Sequence, residues 1–203
     1  MYNQENYSKL LILVGIAIFC FLFIGRDLVQ ISFIDLFRNA STASLITIAF
    51  HFSFKKWIWK WKLITFTNPF IVLVPNLHGT WKGTLQSSWI NPETGNSPDP
   101  IEITIFIRQN FNGVSVEMRT EQMVSRSYIA GFKKDADSGT CEICYTYTSQ
   151  AFANNVSSNP WHDGTARLAI NEGKKFNLHG NYWTIRKTIG TIVLNRVSKT
   201  IDL

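Results

Sequence analysis

Ile101-Glu102-Ile103-Thr104-Ile105-Phe106-Ile107-Arg108, a short gap closed by Asn112-Gly113, then Val114-Ser115-Val116-Glu117-Met118-Arg119: this stretch decides the fold. Isoleucine at every second position is the period of a strand with one buried face. A second run of the same period follows a dipeptide suited to a type I′ turn, so the stretch reads as a β-hairpin. Working outward, period-2 segments recur near residues 79–89, 101–110, 114–121, 125–133, 140–148, 164–171, 175–184 and 189–198. Asp137-Ser138-Gly139 and Asn171-Glu172-Gly173 separate successive members. No long helical pattern intervenes, so each strand is expected to pair antiparallel with the next. Sequential strands leave two unpaired edges unless the sheet closes. The expectation is an all-β, eight-stranded, up-and-down barrel of lipocalin-like design, with a sandwich as the alternative. A barrel of that size holds packed side chains or one small ligand.

Upstream of this pattern the composition changes. Leu10 to Ile24 carries no charge, and a second apolar segment runs from about Ile31 to Phe54. No small-residue cleavage pattern follows the first, which argues against a signal peptide. Two apolar runs in tandem read as a transmembrane hairpin. Lys55-Lys56-Trp57-Ile58-Trp59-Lys60-Trp61-Lys62 then alternates indoles with ammonium groups, as an interfacial belt does. Lys9 and these lysines fall on one side of the hairpin, while Arg26, Asp27, Asp35 and Arg38 balance on the other. The positive-inside rule then places both termini in the cytoplasm of an inner-membrane protein. Asp35 and Arg38 stand one helical turn apart and are able to pair. The expected organisation is a two-helix transmembrane region over residues 1–67, a linker over 68–75 and a cytoplasmic barrel over 76–203.

Charge excludes one class of partner. The chain of 203 residues has a formal net charge of +6. Residues 1–75 hold 7 Lys+Arg against 3 Asp+Glu, and residues 76–203 hold 13 against 11, so the excess is +4 beside the apolar segments and only +2 on the barrel. A DNA or RNA polymer would require clustered cations on the folded domain and is not an expected partner. Cys20, Cys141 and Cys144 cannot all pair, and Cys141 and Cys144 face opposite sides of a strand, so neither a disulfide nor a metal site is expected.

Catalytic arrangements are weak. His78, His162 and His179 are scattered, His162-Asp163 has no nucleophile brought to it by spacing, and no glycine-rich phosphate loop opens a helix. The chain is not expected to be an enzyme. More informative are the aromatic residues and arginines of the barrel. Alternation puts Arg119 on the face of Glu117 and opposite Met118, which makes ordinary cross-strand ion pairs its simplest role. Tyr145 and Tyr147 share a face with Ile143, where a core role is the simplest. Together, guanidinium forks and flat π-faces near a barrel mouth are what a compact nucleotide requires.

Two further stretches carry a family resemblance. Leu77-His78-Gly79-Thr80-Trp81-Lys82-Gly83-Thr84-Leu85 opens the first strand, and Gly180-Asn181-Tyr182-Trp183-Thr184-Ile185-Arg186-Lys187-Thr188-Ile189-Gly190-Thr191-Ile192 spans the last hairpin. Both resemble the two-transmembrane β-barrel effectors of CBASS anti-phage defence. The resemblance implies a chain kept silent until a cyclic dinucleotide made by a partner CD-NTase enters the barrel domain. It implies that the chain then forms a homo-oligomer and disrupts the inner membrane, with no cofactor beyond the ligand. Candidate ligand-binding residues, chosen by position, are Trp81 and Arg186 within the resembling motifs, and Arg119, Tyr145, Tyr147 and Trp183. The alternatives are a membrane-anchored, lipocalin-like carrier or sensor of a lipid-like ligand, and a scaffold whose barrel is filled by its own side chains.

Overall fold

The computed structural model describes residues 4–24, 31–60, 75–135, 137–153, 161–172 and 176–201. The chain forms two compact units, Tyr2–Pro75 and Asn76–Leu203.

The first unit pairs α1 (Gln4–Phe21) with α2 (Phe33–Lys56), followed by a 3-10 turn at Ile58–Lys60. The helices run antiparallel. Tyr7 Oη lies 2.9 Å from His51 Nδ1 and its ring 5.2 Å from Phe54, while Gly15 sits against Thr47 farther along both helices. Ser32 starts α2 with a capping box, its hydroxyl accepting from the Asp35 amide at 3.2 Å. Asp35 also meets Arg38 at 2.5 Å, an (i, i+3) pair on the exposed surface.

The expected transmembrane hairpin, and with it the two-pass inner-membrane address, is overturned. Among the described residues no helix is long and apolar enough to cross a membrane. In α1 the segment up to Lys9 is polar, so the apolar part, Leu10 to Phe21, is about 18 Å long against a hydrocarbon core of about 30 Å. In α2 the length suffices, but Asp35, Arg38, Asn39, His51 and a series of Ser and Thr interrupt the apolar surface. The tryptophan-lysine segment is not a uniform exposed belt either: Trp57 is exposed, with Lys56 Nζ 4.8 Å from its ring centroid, whereas Trp59 is buried. Trp61, Lys62, Arg26, Asp27 and the linker up to residue 74 lie outside the described residues.

The second unit is the closed barrel. Its strands are β1 (Gly79–Ser87), β2 (Ile101–Gln109), β3 (Val114–Arg119), β4 (Met123–Lys134), β5 (Cys141–Ala151), β6 (His162–Glu172), β7 (Phe176–Thr184) and β8 (Ile189–Ser198). Each pairs antiparallel with the next and β8 returns to β1, so no edge is left open. Gly79, at φ 137°, begins β1 where a side chain would strike the Ser198 carbonyl across that closing seam.

Two local expectations change. Neither Asn112 nor Gly113 has positive φ, as a type I′ turn demands. Instead Asn110 Oδ1 accepts from the amides of Asn112 at 2.8 Å and Gly113 at 2.9 Å, and the loop turns Phe111 into the core. In β4 the register shifts between Ser127 and Ile129, a bulge that leaves Tyr128 facing solvent.

The interior is filled. Ile103, Ile105, Ile107, Ile143, Leu168 and Leu194 are each 3 % exposed or less. Cys141 joins this interior and Cys144 lies on the outer wall, half-buried, with its thiol pushed up by burial and by Glu142.

Candidate ligand-binding site

Strand direction defines two ends. At the lower end lie the start of β1, the end of β8 and the β2–β3, β4–β5 and β6–β7 connections; at the upper end lie the β1–β2, β3–β4, β5–β6 and β7–β8 loops.

The lower end is shut. Trp81 is fully buried, donates from Nε1 to the Leu77 carbonyl at 2.9 Å, and lies 5.9 Å from the Phe176 ring. The Arg196 guanidinium stacks over both rings, at 5.5 and 5.9 Å, and donates to the Asn76 and His78 carbonyls. Gln109 Oε1 accepts from the Leu77 amide at 2.6 Å, while its own amide donates to His78 Nδ1 at 3.3 Å. These bonds seat Asn76 to His78 against the barrel floor.

The upper end has the opposite character. On β5 the inward positions are Ile143, Tyr145, Tyr147 and Ser149, so polarity rises towards the mouth. Ser149 shares a 2.6 Å hydroxyl contact with Ser125 on β4 and pairs in register with His162 on β6. Tyr147 crosses over Gly164, where a Cβ would approach its hydroxyl to 2.5 Å; Tyr182 crosses over Gly190, where a Cβ would stand 2.5 Å from its ring. Ser87 hydrogen-bonds the Tyr182 hydroxyl. Burial pushes the phenols of Tyr145 and Tyr147 well above their ordinary value, with the neighbouring phenol adding to the effect in each case. Burial raises Tyr182 as well, against the Ser87 bond. All three therefore remain neutral and able to donate hydrogen bonds at physiological pH.

Above this hydroxyl layer the loops hold exposed apolar groups, Trp89, Ile90, Phe152, Trp161 and Ile185, and Trp183 is exposed on the outer wall at the upper end of β7. Arg186 and Lys187 occupy the β7–β8 turn, with Lys187 at φ 63° and the turn closed by Thr184 N–H to Thr188 O at 3.0 Å. Aromatic surface and cations on loops over a rigid barrel make a surface that takes a flat, anionic molecule.

The six candidate residues do not form one cluster. Trp81 belongs to the closed floor. Tyr145 and Tyr147 lie inside, with ring centroids 5.8 Å apart, Tyr147 being the nearer to the mouth. Trp183 sits near the upper end of β7 on the outer wall, and Arg186 in the turn just above it. Arg119 is also on the outer wall, bound to Glu117, on a strand across the barrel from β7. Ser87, Ser149, Tyr182 and Trp161 are mouth residues outside the candidate set. A signal for Tyr182 was present: Gly190 inside a strand marks a place where another group comes close.

A family profile described as Cap15, cyclic dinucleotide receptor domain, matches residues 72–196, which is more than half of the chain and nearly all of the barrel. The chain belongs to the Cap15 cyclic dinucleotide receptor family. Two curated relatives agree along most of the length. The CD-NTase-associated protein 15 of Staphylococcus schleiferi is 29% identical over 169 residues, covering 83% of this chain and 82% of its own. That of Escherichia albertii is 24% identical over 193 residues, covering 91% and 90%. The Cap15 match includes the mouth as well as the floor, so family membership applies to the whole barrel rather than to one motif.

Proposed function

We propose that this Cap15-family chain is a CBASS effector whose barrel mouth binds a cyclic dinucleotide made by a partner CD-NTase. The observation that carries the reading is the match of residues 72–196 to a cyclic dinucleotide receptor domain. A cyclic dinucleotide presents two flat bases and two phosphodiester charges. Trp161 offers a π-face at the rim and Trp183 one on the outer wall beside it, Arg186 and Lys187 offer cations in the turn, and the hydroxyls of Tyr147 and Tyr182 point into the mouth. In this reading, with the interior packed, the ligand sits on the rim and Trp81 and Tyr145 support the barrel beneath it. It also disfavours the carrier alternative, which requires an apolar cavity where Ile105, Ile143 and Leu168 now stand.

The output in this reading is self-assembly on ligand binding, followed by membrane disruption that aborts infection. A ligand that binds the assembling form better than the resting one shifts the population by its differential affinity.

Isothermal titration of the purified full chain with a panel of cyclic dinucleotides tests the reading. Saturable binding to at least one member is expected, with at least a tenfold loss in Arg186→Ala. Absence of saturable binding to any member overturns it. Light scattering with and without the bound nucleotide tests assembly, and dye release from vesicles tests disruption.

A further inference from the structure

The outer wall carries a second cluster that the mouth does not use. Glu117 on β3 is almost fully buried at its side chain, 11 % exposed, although it lies on the outer face. Arg119 donates to its Oε1 from Nε at 2.8 Å and approaches from Nη2 at 2.7 Å. Arg108 on β2 reaches Oε2 only at 3.5 Å and Arg126 on β4 only at 3.6 Å. One guanidinium fork is enough to neutralise one carboxylate. Here three converge, which leaves two net positive charges, and the second and third stand beyond the 2.7–2.9 Å of a good charged hydrogen bond.

Their outer surfaces stay open, at 41, 40 and 62 % exposure for Arg108, Arg119 and Arg126. The Arg119 guanidinium is centred 5.1 Å from the ring of Phe106, itself buried, which fixes its plane. Cross-strand register extends the row with another cation: Lys82 on β1 pairs with Thr104, and Thr104 with Arg119. On the other side the next acid, Asp163, already accepts from Thr148 Oγ1 at 2.6 Å. Buried Glu117 thus gathers like charges that would otherwise repel, and presents their remaining N–H groups together.

We infer that the β2–β3–β4 outer wall is an anion site for a phosphate ester, with Arg108, Arg119 and Arg126 as its donors and Glu117 as the residue that positions them. A tetrahedral phosphate accepts from several forks at once, where a lone carboxylate is already satisfied by Arg119. The phosphate has two possible sources, a soluble phosphorylated molecule or an anionic lipid headgroup. The cluster is on the outer face of the β2–β3–β4 wall, across the barrel from the β7–β8 turn that carries Arg186.

The test uses the full chain and Arg108→Gln/Arg126→Gln, with pyrophosphate in isothermal titration and with phosphatidylglycerol or phosphatidylcholine vesicles in co-sedimentation. Wild type is expected to bind pyrophosphate or phosphatidylglycerol with an affinity that falls steeply with salt, and the double variant to lose at least tenfold. Binding of pyrophosphate assigns a soluble source; binding of phosphatidylglycerol vesicles alone assigns the headgroup. No binding of either probe by wild type, or equal binding by the variant, overturns the site. An unchanged melting midpoint in the variant shows that the loss is local. Arg186→Ala should leave both probes bound at this wall, so failure here and failure at the mouth are read separately.

Discussion

At the lower end of the barrel, Trp81, Phe176 and Arg196 stack on one another, with the Trp81 indole N–H and the two Arg196 Nη groups donating to backbone carbonyls; at the upper end, Trp161 after the β5–β6 connection and Trp183 on the outer wall of β7 face solvent around a layer of hydroxyls. Both ends use the same residue types. What differs is whether the aromatic surface has been withdrawn from water. A buried indole with its N–H satisfied stabilises the fold, whereas an exposed one on a loop has its contact surface left to offer to a ligand. Substitutions at the two ends should therefore separate stability from binding.

The largest expected effect is at the floor. Trp81→Ala should cost about 4 kcal/mol in denaturant unfolding, because it removes a fully buried ring and leaves a cavity under Arg196. If it lowered nucleotide affinity in the folded fraction as much as Arg186→Ala does, the division between floor and mouth would fail. Next comes Gly190→Ala, expected to destabilise by about 2–3 kcal/mol. Its Cβ would lie 2.1 Å from the Gln86 carbonyl oxygen and 2.5 Å from the Tyr182 ring, and backbone cannot easily yield. Because Tyr182 lines the mouth, this variant should also weaken nucleotide binding, making it the one place where both properties change together.

At the mouth itself, Arg186→Ala should alter unfolding by less than about 0.5 kcal/mol, as exposed surface changes generally do, while reducing affinity at least tenfold. A large stability loss there would show that the turn is part of the structural core.

The outer wall supplies a pH-dependent comparison. Burial alone raises the Glu117 pKa, but the hydrogen bond and charge of Arg119, then Arg126 and Arg108, outweigh it and hold the carboxyl below its ordinary value. A carboxyl whose folded pKa is depressed contributes stability above its unfolded value and loses it as pH falls through the folded one. The stability difference between wild type and Glu117→Gln should thus be fully present near neutrality and shrink below about pH 4.5, measured by urea unfolding across pH. A difference independent of pH would exclude the ion cluster as its cause. The smallest effect is a gain: Lys187→Gly relieves a left-handed residue and should stabilise by about 0.5–1 kcal/mol, read as a small rise in melting midpoint.

Much of the barrel was legible because its signal is local. Alternation of Ile101 to Ile107 requires only neighbouring residues, and it correctly put Tyr145 and Tyr147 on the face of Ile143. The helical region shows the limit of that logic. Apolar run length suggested a membrane hairpin, yet the described α1 has too short an apolar section and α2 too many interruptions. The Asn112-Gly113 pair misled in the same manner, since the side chain of Asn110 offered the backbone a competing partner.

By itself the sequence determined the strands, their order and the alternation of wall and core, since each depends on period and on short connections. The match of residues 72–196 to the Cap15 profile then identified the family. Only the tertiary structure decided which aromatics close the floor and which ring the mouth. Strand register and barrel closure bring Ser125 beside Ser149, Tyr182 over Gly190 and Arg196 onto Trp81, and residues so far apart along the chain carry no shared local pattern.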